Sequence, residues 1–91
     1  MALTKTTVVD KIEVLEMGQV QVRTATRVKE DGAVLSSSFH RHVVEPSTKA
    51  SGSWADTDIS GEDARVQAVA TATWTSEVKT AYQEMIDAQA L

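Results

Sequence analysis

Two histidines that flank an arginine, His40-Arg41-His42, are the side chains of this chain that most resemble a chemical site. They lie in a segment that alternates between polar and apolar residues, so His40 and His42 are predicted to share one face of a β-strand. Two imidazoles at that spacing could share a metal ion. The chain has no cysteine, which excludes thiolate ligands and disulfides.

The strand pairing predicted for this segment argues against a metal site. It places Arg23 and Gln21 beside the two histidines, on the sheet face away from the core. A neighbouring cation opposes the binding of a metal ion by charge repulsion. A solvated polar face, or a pH-sensitive or interfacial contact, explains the pair better. We therefore expect no cofactor, and His40 and His42 stay as candidate metal ligands only.

Three antiparallel strands in a meander are predicted before Pro46. They lie at about residues 7–17, 19–30 and 33–45. The Asp31-Gly32 pair suits a two-residue type I′ turn, because both central residues of that turn need positive φ. A three-residue turn over residues 16–18 suits the first hairpin, with Gly18 in its left-handed position.

These two turns predict a register and therefore a core face. The first turn places Val14 opposite Val20, and the second places Val20 opposite Val43. Arg41 does not fit this register, because it would lie opposite Val22 on the apolar face. The predicted core face comprises Val8, Ile12, Val14, Val20, Val22, Val28, Leu35, Phe39 and Val43.

The rest of the chain is predicted to cover one face of the sheet. Residues 47–58, STKASGSWADTD, have the composition of a loop. Ser60 is the expected N-cap of a helix over about residues 61–73, and Thr75 begins a second helix over about residues 76–89. One bent helix is the alternative. The predicted fold is a single α+β domain over residues 1–91.

Positive charge is predicted to concentrate on the outer face of the sheet. Residues 1–49 carry seven Lys/Arg and six Asp/Glu, whereas residues 50–91 carry two and seven. The sheet face away from the core, here called the outer face, is either solvated or a docking surface for an acidic neighbour. The acidic helical half of another copy would be such a neighbour. Trp54 is either an anchor of its loop or a partner contact. The interaction candidates are Arg23, Arg27, Lys29, His40, Arg41, His42 and Trp54, with Lys11 beside them.

Several functional classes are not expected from the sequence. The net charge of −4 argues against a general nucleic-acid binder. No stretch is apolar and long enough to span a membrane, and the N-terminus is unlike a signal peptide. Ser36-Ser37-Ser38 lies near His40, but no set of nucleophile, base and orienting group can be assembled. We therefore expect neither an enzyme nor a protein with a small-molecule substrate.

Three segments resemble small proteins encoded by tailed bacteriophages, notably marine ones: DKIEVLEMGQVQVRTATRVKEDG, SFHRHVVEP and SGEDARVQAVATATWTSEVKTAYQ. The HRH triplet also resembles the His-x-His motif of trimeric phage fibres and spikes, in which three chains hold an iron. The first resemblance implies no functional residue. It implies a multi-copy virion structural or accessory protein, made in the host bacterial cytoplasm, that contacts other virion proteins and copies of itself. A tail or fibre-attachment role is favoured over capsid decoration. The alternative is a small non-structural phage binding module that acts on a host or phage protein.

Overall fold

A computed structural model describes residues 2–89 of the chain. The elements in chain order are β1 (Leu3–Val14), β2 (Val20–Glu30), β3 (Ala33–Val44), β4 (Ser47–Ala50), β5 (Ser53–Asp56), α1 (Ala64–Thr73) and α2 (Ser76–Gln89). The first three strands form an antiparallel sheet in sequence order, and β4 and β5 form a separate hairpin. The predicted α+β fold is confirmed. β1, however, begins at Leu3 and ends at Val14, four residues earlier than expected at the start and three at the end.

Both predicted turns of the sheet are confirmed. Gly18 has a φ of 88°, and Asp31 and Gly32 have φ values of 51° and 86°. The first turn is closed by the Leu15 amide, which donates to the carbonyl of Gln19 at 2.8 Å. Val14 accordingly pairs with Val20, as the three-residue turn requires. Turn chemistry therefore determines how each hairpin starts.

The predicted register of the second hairpin is correct for the residues next to the turn and wrong for the residues farther from it. Lys29 pairs with Val34 as the turn requires, but Val28 pairs with Ser36. Leu35 is left as an extra residue, so β3 has a β-bulge at this point. A shift of one residue moves every following side chain to the opposite face.

The bulge reverses the predicted faces of β3. Phe39 and Val43 were expected in the core, but they lie on the face away from the helices and are 50% and 52% exposed. We call this face, which carries the odd-numbered residues of β2, the outer face. Arg41 also lies on it, opposite Arg23. The misfit of Arg41 in the predicted register is thereby removed.

A second shift in register occurs in β1. Val9 pairs with Thr24 and Lys11 with Arg23, so Asp10 is the extra residue between them. Val8 was expected in the core, but beyond this shift it lies opposite Ala25 on the outer face. Both edge strands of the sheet therefore carry one irregularity, and neither is in the central strand.

The core lies at the end of the sheet that contains the first turn. The buried side chains Val20, Val22 and Val44 of the inner sheet face pack there on those of α1 and its C-cap, Val66, Ala70 and Trp74. Val66 and Ala70 thus form the buried face of α1. The indole Nε1 of Trp74 donates to the carbonyl of Gly18 at 2.7 Å, so the end of α1 is tied to the turn.

The segment predicted to be a loop, residues 47–58, contains a β-hairpin over residues 47–56. A two-residue turn at Ser51 and Gly52, with φ values of 52° and 80°, connects β4 to β5. Helix α2 packs on this hairpin. Gln83 donates to the hydroxyl of Ser47 at 3.1 Å, and that hydroxyl belongs to a side chain that is 1% exposed.

The first helix starts later than predicted, and the break between helices is as predicted. Asp63, not Ser60, is the N-cap of α1, and its carboxylate accepts from the Arg65 amide at 2.9 Å. Ser60 instead belongs to a turn in which its amide donates to Asp58. The Thr75 hydroxyl accepts from the Val78 amide at 3.2 Å, so α2 is a separate helix with its own cap.

The molecule is long and thin for its size. Its radius of gyration is 17.0 Å and its extents are 57 × 25 × 23 Å, whereas about 12 Å is the radius of gyration expected for a compact chain of this length. The helices cover one end of the sheet only. Among residues 2–89, seven large apolar side chains are exposed: Leu3, Val8, Val14, Val34, Leu35, Phe39 and Val43.

Candidate interaction surface

An ion pair and an aromatic ring occupy the centre of the outer face. Arg23 donates to both carboxylate oxygens of Asp10, at 2.9 and 2.7 Å, and its guanidinium lies 4.6 Å from the centre of the Phe39 ring. The hydrogen bond from Arg23 lowers the pKa of Asp10, and the same bond raises the pKa of Arg23. Arg23 is therefore held in place by its own chain, and the β1 bulge supplies its partner.

The other cations of the outer face are held less tightly. Arg27 lies 3.9 Å from Asp10, at the limit of an ion pair. No carboxylate of residues 2–89 lies within 4.0 Å of the charged groups of Lys29 or Arg41. Arg41 borders a cleft of about 140 Å³. The cleft is lined on the outer face by Lys11, Glu13, Gln21, Arg23, Arg41 and Val43. Three of these side chains are cations, and one, Glu13, is a carboxylate.

The predicted basic patch is therefore correct in part. Strand alternation places Arg23, Arg27 and Lys29 together on the outer face, and the bulge adds Arg41 to them. The same bulge removes His40 and His42, which were expected on this face but lie on the inner one. The patch is thus made of arginine and lysine side chains.

The two histidines lie at the border of the helical layer. His42 pairs with Val22, His40 pairs with Thr24, and their ring centroids are 6.3 Å apart. Nε2 of His42 lies 2.8 Å from Oε1 of Glu62, just before α1. Within residues 2–89, no group of three or more His, Asp or Glu side chains is arranged to hold a metal ion. His42 here links β3 to the start of α1.

Trp54 links the small hairpin to α2. Its ring meets Tyr82 edge to face, with centroids 6.1 Å apart, and its Nε1 donates to Asp87 at 3.3 Å. Lys49 donates to the same carboxylate at 2.9 Å and lies 5.5 Å from the Trp54 ring. The bonds from Lys49 and Trp54 lower the pKa of Asp87. This geometry is that of an anchor, the first of the two predicted roles, and contact with a partner remains a prediction.

The two edge strands of the sheet share the seven exposed large apolar side chains, and Leu3, Val8 and Val14 are those of β1. β3 carries four of the seven exposed large apolar side chains: Val34, Leu35, Phe39 and Val43. This apolar edge was not predicted from the sequence, because Leu35, Phe39 and Val43 were expected in the core. Arg41 was the available signal. Its misfit on an apolar face indicated that β3 changes register between the turn and Phe39.

Comparison of the chain with protein-family models, with curated proteins and with solved structures gave no match. Neither described helix, α1 of 10 residues or α2 of 14, is long and apolar enough to cross a membrane. The features that bear on function are therefore geometric. They are a thin sheet with an apolar edge strand, an outer face with cations that lack carboxylate partners within residues 2–89, and a helical layer that covers one end.

Proposed function

We propose that this protein is a multi-copy subunit of a larger protein assembly. One observation carries the proposal: the sheet extends well beyond the helices, and apolar side chains are exposed along it. Exposed apolar side chains that lie along one sheet are typical of a surface covered by a neighbouring chain. In an assembly the same surface is covered by neighbouring chains.

The size of the exposed surface supports the proposal. The chain exposes 6090 Å², whereas a compact monomer of 9.8 kDa is expected to expose about 5,200 Å². The excess of about 900 Å² is close to the roughly 800 Å² that each partner contributes to a standard protein–protein interface. Contact with one neighbouring chain would remove an area of this order.

The charge distribution supports contact between unlike surfaces. Arg41 and Lys29 have no carboxylate within ion-pair distance in residues 2–89. The half of the chain from residue 50 onward carries seven acidic and two basic residues. Rim charges of opposite sign steer association and help to set which surfaces meet.

The resemblance to proteins of tailed bacteriophages suggests what the assembly is. On that basis the protein is a virion structural or accessory component, with a tail or fibre-attachment role favoured over capsid decoration. It would be made in the host bacterial cytoplasm and incorporated into particles. Its partners would be other virion proteins and copies of itself.

The test combines the mass of the purified protein with the composition of particles. Light scattering on a sizing column gives the absolute mass over a range of concentrations, with and without a chelator. Quantitative mass spectrometry of purified particles counts copies of the chain per particle. We expect a defined oligomer that the chelator does not dissociate, and many copies per particle.

A monomer at every concentration, together with absence from particles, would overturn this proposal. The alternative would then be a small non-structural binding module. The cleft beside Arg41 favours that alternative, since its volume of about 140 Å³ suits one acidic side chain of a target protein.

A further inference from the structure

We infer that this protein assembles through β3, which pairs antiparallel with β3 of a second copy across a two-fold axis. The inference rests on the proposed function and names one of the interfaces that the function requires. The result would be a continuous six-stranded sheet. Its outer face would then carry two copies of the basic patch side by side.

The two edges of the sheet differ in how they resist pairing. Natural sheets protect a free edge with charged side chains and with bulges. β1 has a bulge at Asp10 and further charged side chains along it, Lys5, Lys11 and Glu13. β3 also has a bulge, at Leu35, so the two edges differ in their charge. β3 carries one permanently charged residue, Arg41, in twelve. β1 is therefore the protected edge, and β3 is the edge left available for pairing.

The polarity of β3 is symmetric about Phe39, and this symmetry selects a second copy as the occupant. The sequence from Val34 to Val44 is VLSSSFHRHVV. Two apolar residues stand at each end, three polar residues stand on each side, and Phe39 is central. A two-fold interface brings one patch against itself, so it needs such self-complementarity. A foreign strand would require no symmetry of this kind.

The two-fold arrangement also places compatible side chains of β3 opposite one another. With Phe39 opposite its own copy, Leu35 lies opposite Val43 of the other chain, and Ser37 lies opposite Arg41. The apolar side chains then meet each other, and the two Arg41 charges stay apart. The excess exposed surface of about 900 Å² per chain matches the area that one such partner would cover.

Two positions in the same row of the sheet provide matched variants. Ser37 of β3 and Thr6 of β1 both pair with Arg27, on its opposite sides, and both are exposed. Ser37→Lys would place a cation against Arg41 of the other copy, and Ser37→Glu would place an anion there. Thr6→Lys and Thr6→Glu introduce the same charges beside the same Arg27, but at the protected edge.

The experiment measures dimer dissociation constants of the full chain and the four variants by sedimentation. Charges placed directly opposite each other in a sheet change the stability of strand pairing only modestly. In a two-fold dimer each substitution is present in both chains, so its effect on the dimer is counted twice. We expect Ser37→Lys to weaken the dimer roughly 2- to 30-fold and Ser37→Glu to strengthen it. The Thr6 variants should leave it unchanged. Circular dichroism of each variant checks that the chain is folded.

Hydrogen exchange of the unmodified protein gives a second readout that needs no variant. Edge amides of β3 should exchange more slowly at high than at low concentration, and those of β1 should not change. A dimer in which both Ser37 variants behave like the Thr6 variants, or in which β1 gains the protection, overturns the inference and leaves the proposed function standing. A protein that is monomeric in solution but abundant in particles also overturns the inference and leaves the proposed function standing. A monomer that is absent from particles overturns both.

Discussion

Replacing Gly18 by alanine tests how tightly the first turn is clamped by the helical layer. Gly18 has a φ of 88°, and a Cβ atom there would lie 2.5 Å from Cγ1 of Val78 and 3.1 Å from Cγ of Pro46. The residue has little freedom to move away, because its carbonyl accepts the indole hydrogen bond of Trp74. Gly32 is the matched control. Its φ is 86°, and nothing lies within 4 Å of the corresponding Cβ position.

The two variants share the cost of the backbone and differ in the cost of packing. A left-handed conformation costs a non-glycine residue about 1–2 kcal/mol. Replacing glycine also restricts the unfolded chain, which stabilises the folded state by about 0.4–1 kcal/mol. Only Gly18→Ala adds overpacking, which costs about 1–3 kcal/mol. We therefore expect Gly18→Ala to lower the free energy of unfolding by about 1–3 kcal/mol more than Gly32→Ala does.

Urea denaturation followed by circular dichroism, at one low protein concentration, measures both free energies. Thermal unfolding gives an independent value, since 1 kcal/mol corresponds to a shift in Tm of about 4–8 °C in a domain of this size. Equal destabilisation by the two substitutions would refute the reasoning, because it would mean that Val78 and Pro46 do not confine the turn. Gly52→Ala, also at positive φ with open space around it, should behave like Gly32→Ala.

Two further predictions concern the helices. Asp63→Ala should lower the free energy of unfolding by about 0.5–2 kcal/mol, because it removes the N-cap of α1. Ser60→Ala should change it by less than about 0.5 kcal/mol. Urea denaturation measures both variants, and a larger effect of Ser60→Ala would contradict the assignment of Asp63 as the N-cap. Burial and Glu45 raise the pKa of Tyr82 from 10.0 to about 12, so its contribution to stability is complete below pH 10 and is lost as the pH rises through 12. Tyr82 is the only tyrosine, so absorbance at the tyrosinate band follows it alone; an ionisation at its ordinary pKa would contradict the burial, and Tyr82→Phe should remove the alkaline loss of stability.

Features that depend on a few neighbouring residues were predictable from the sequence. Gly18 and Asp31-Gly32 determine their turns because few residues adopt positive φ without strain. The break between helices follows from Thr75, which caps α2. The buried face of α1 follows from the spacing of its apolar residues, and Val66 and Ala70 are completely buried.

Features that depend on distant parts of the chain were not predictable in the same way. The bulge at Leu35 places Arg41 on the outer face and His42 beside Glu62, a residue 20 positions away along the chain. Either Ser60 or Asp63 is a good cap by residue type, and the path of the chain leaving β5 selects between them. The Ser51-Gly52 turn was visible in the sequence, but its strands are too short and too polar for alternation to be recognised.

The placement of the bulge at Leu35 has a consequence for how the protein tolerates changes in length. Insertions and deletions are usually accepted in loops and rejected in strands. Here the loss of one residue between the turn and Phe39 would restore the unbroken register that the turn alone specifies. Phe39 and Val43 would then face the helices, and His42 would face outward. A deletion of a single codon would thus exchange the two surfaces of an edge strand.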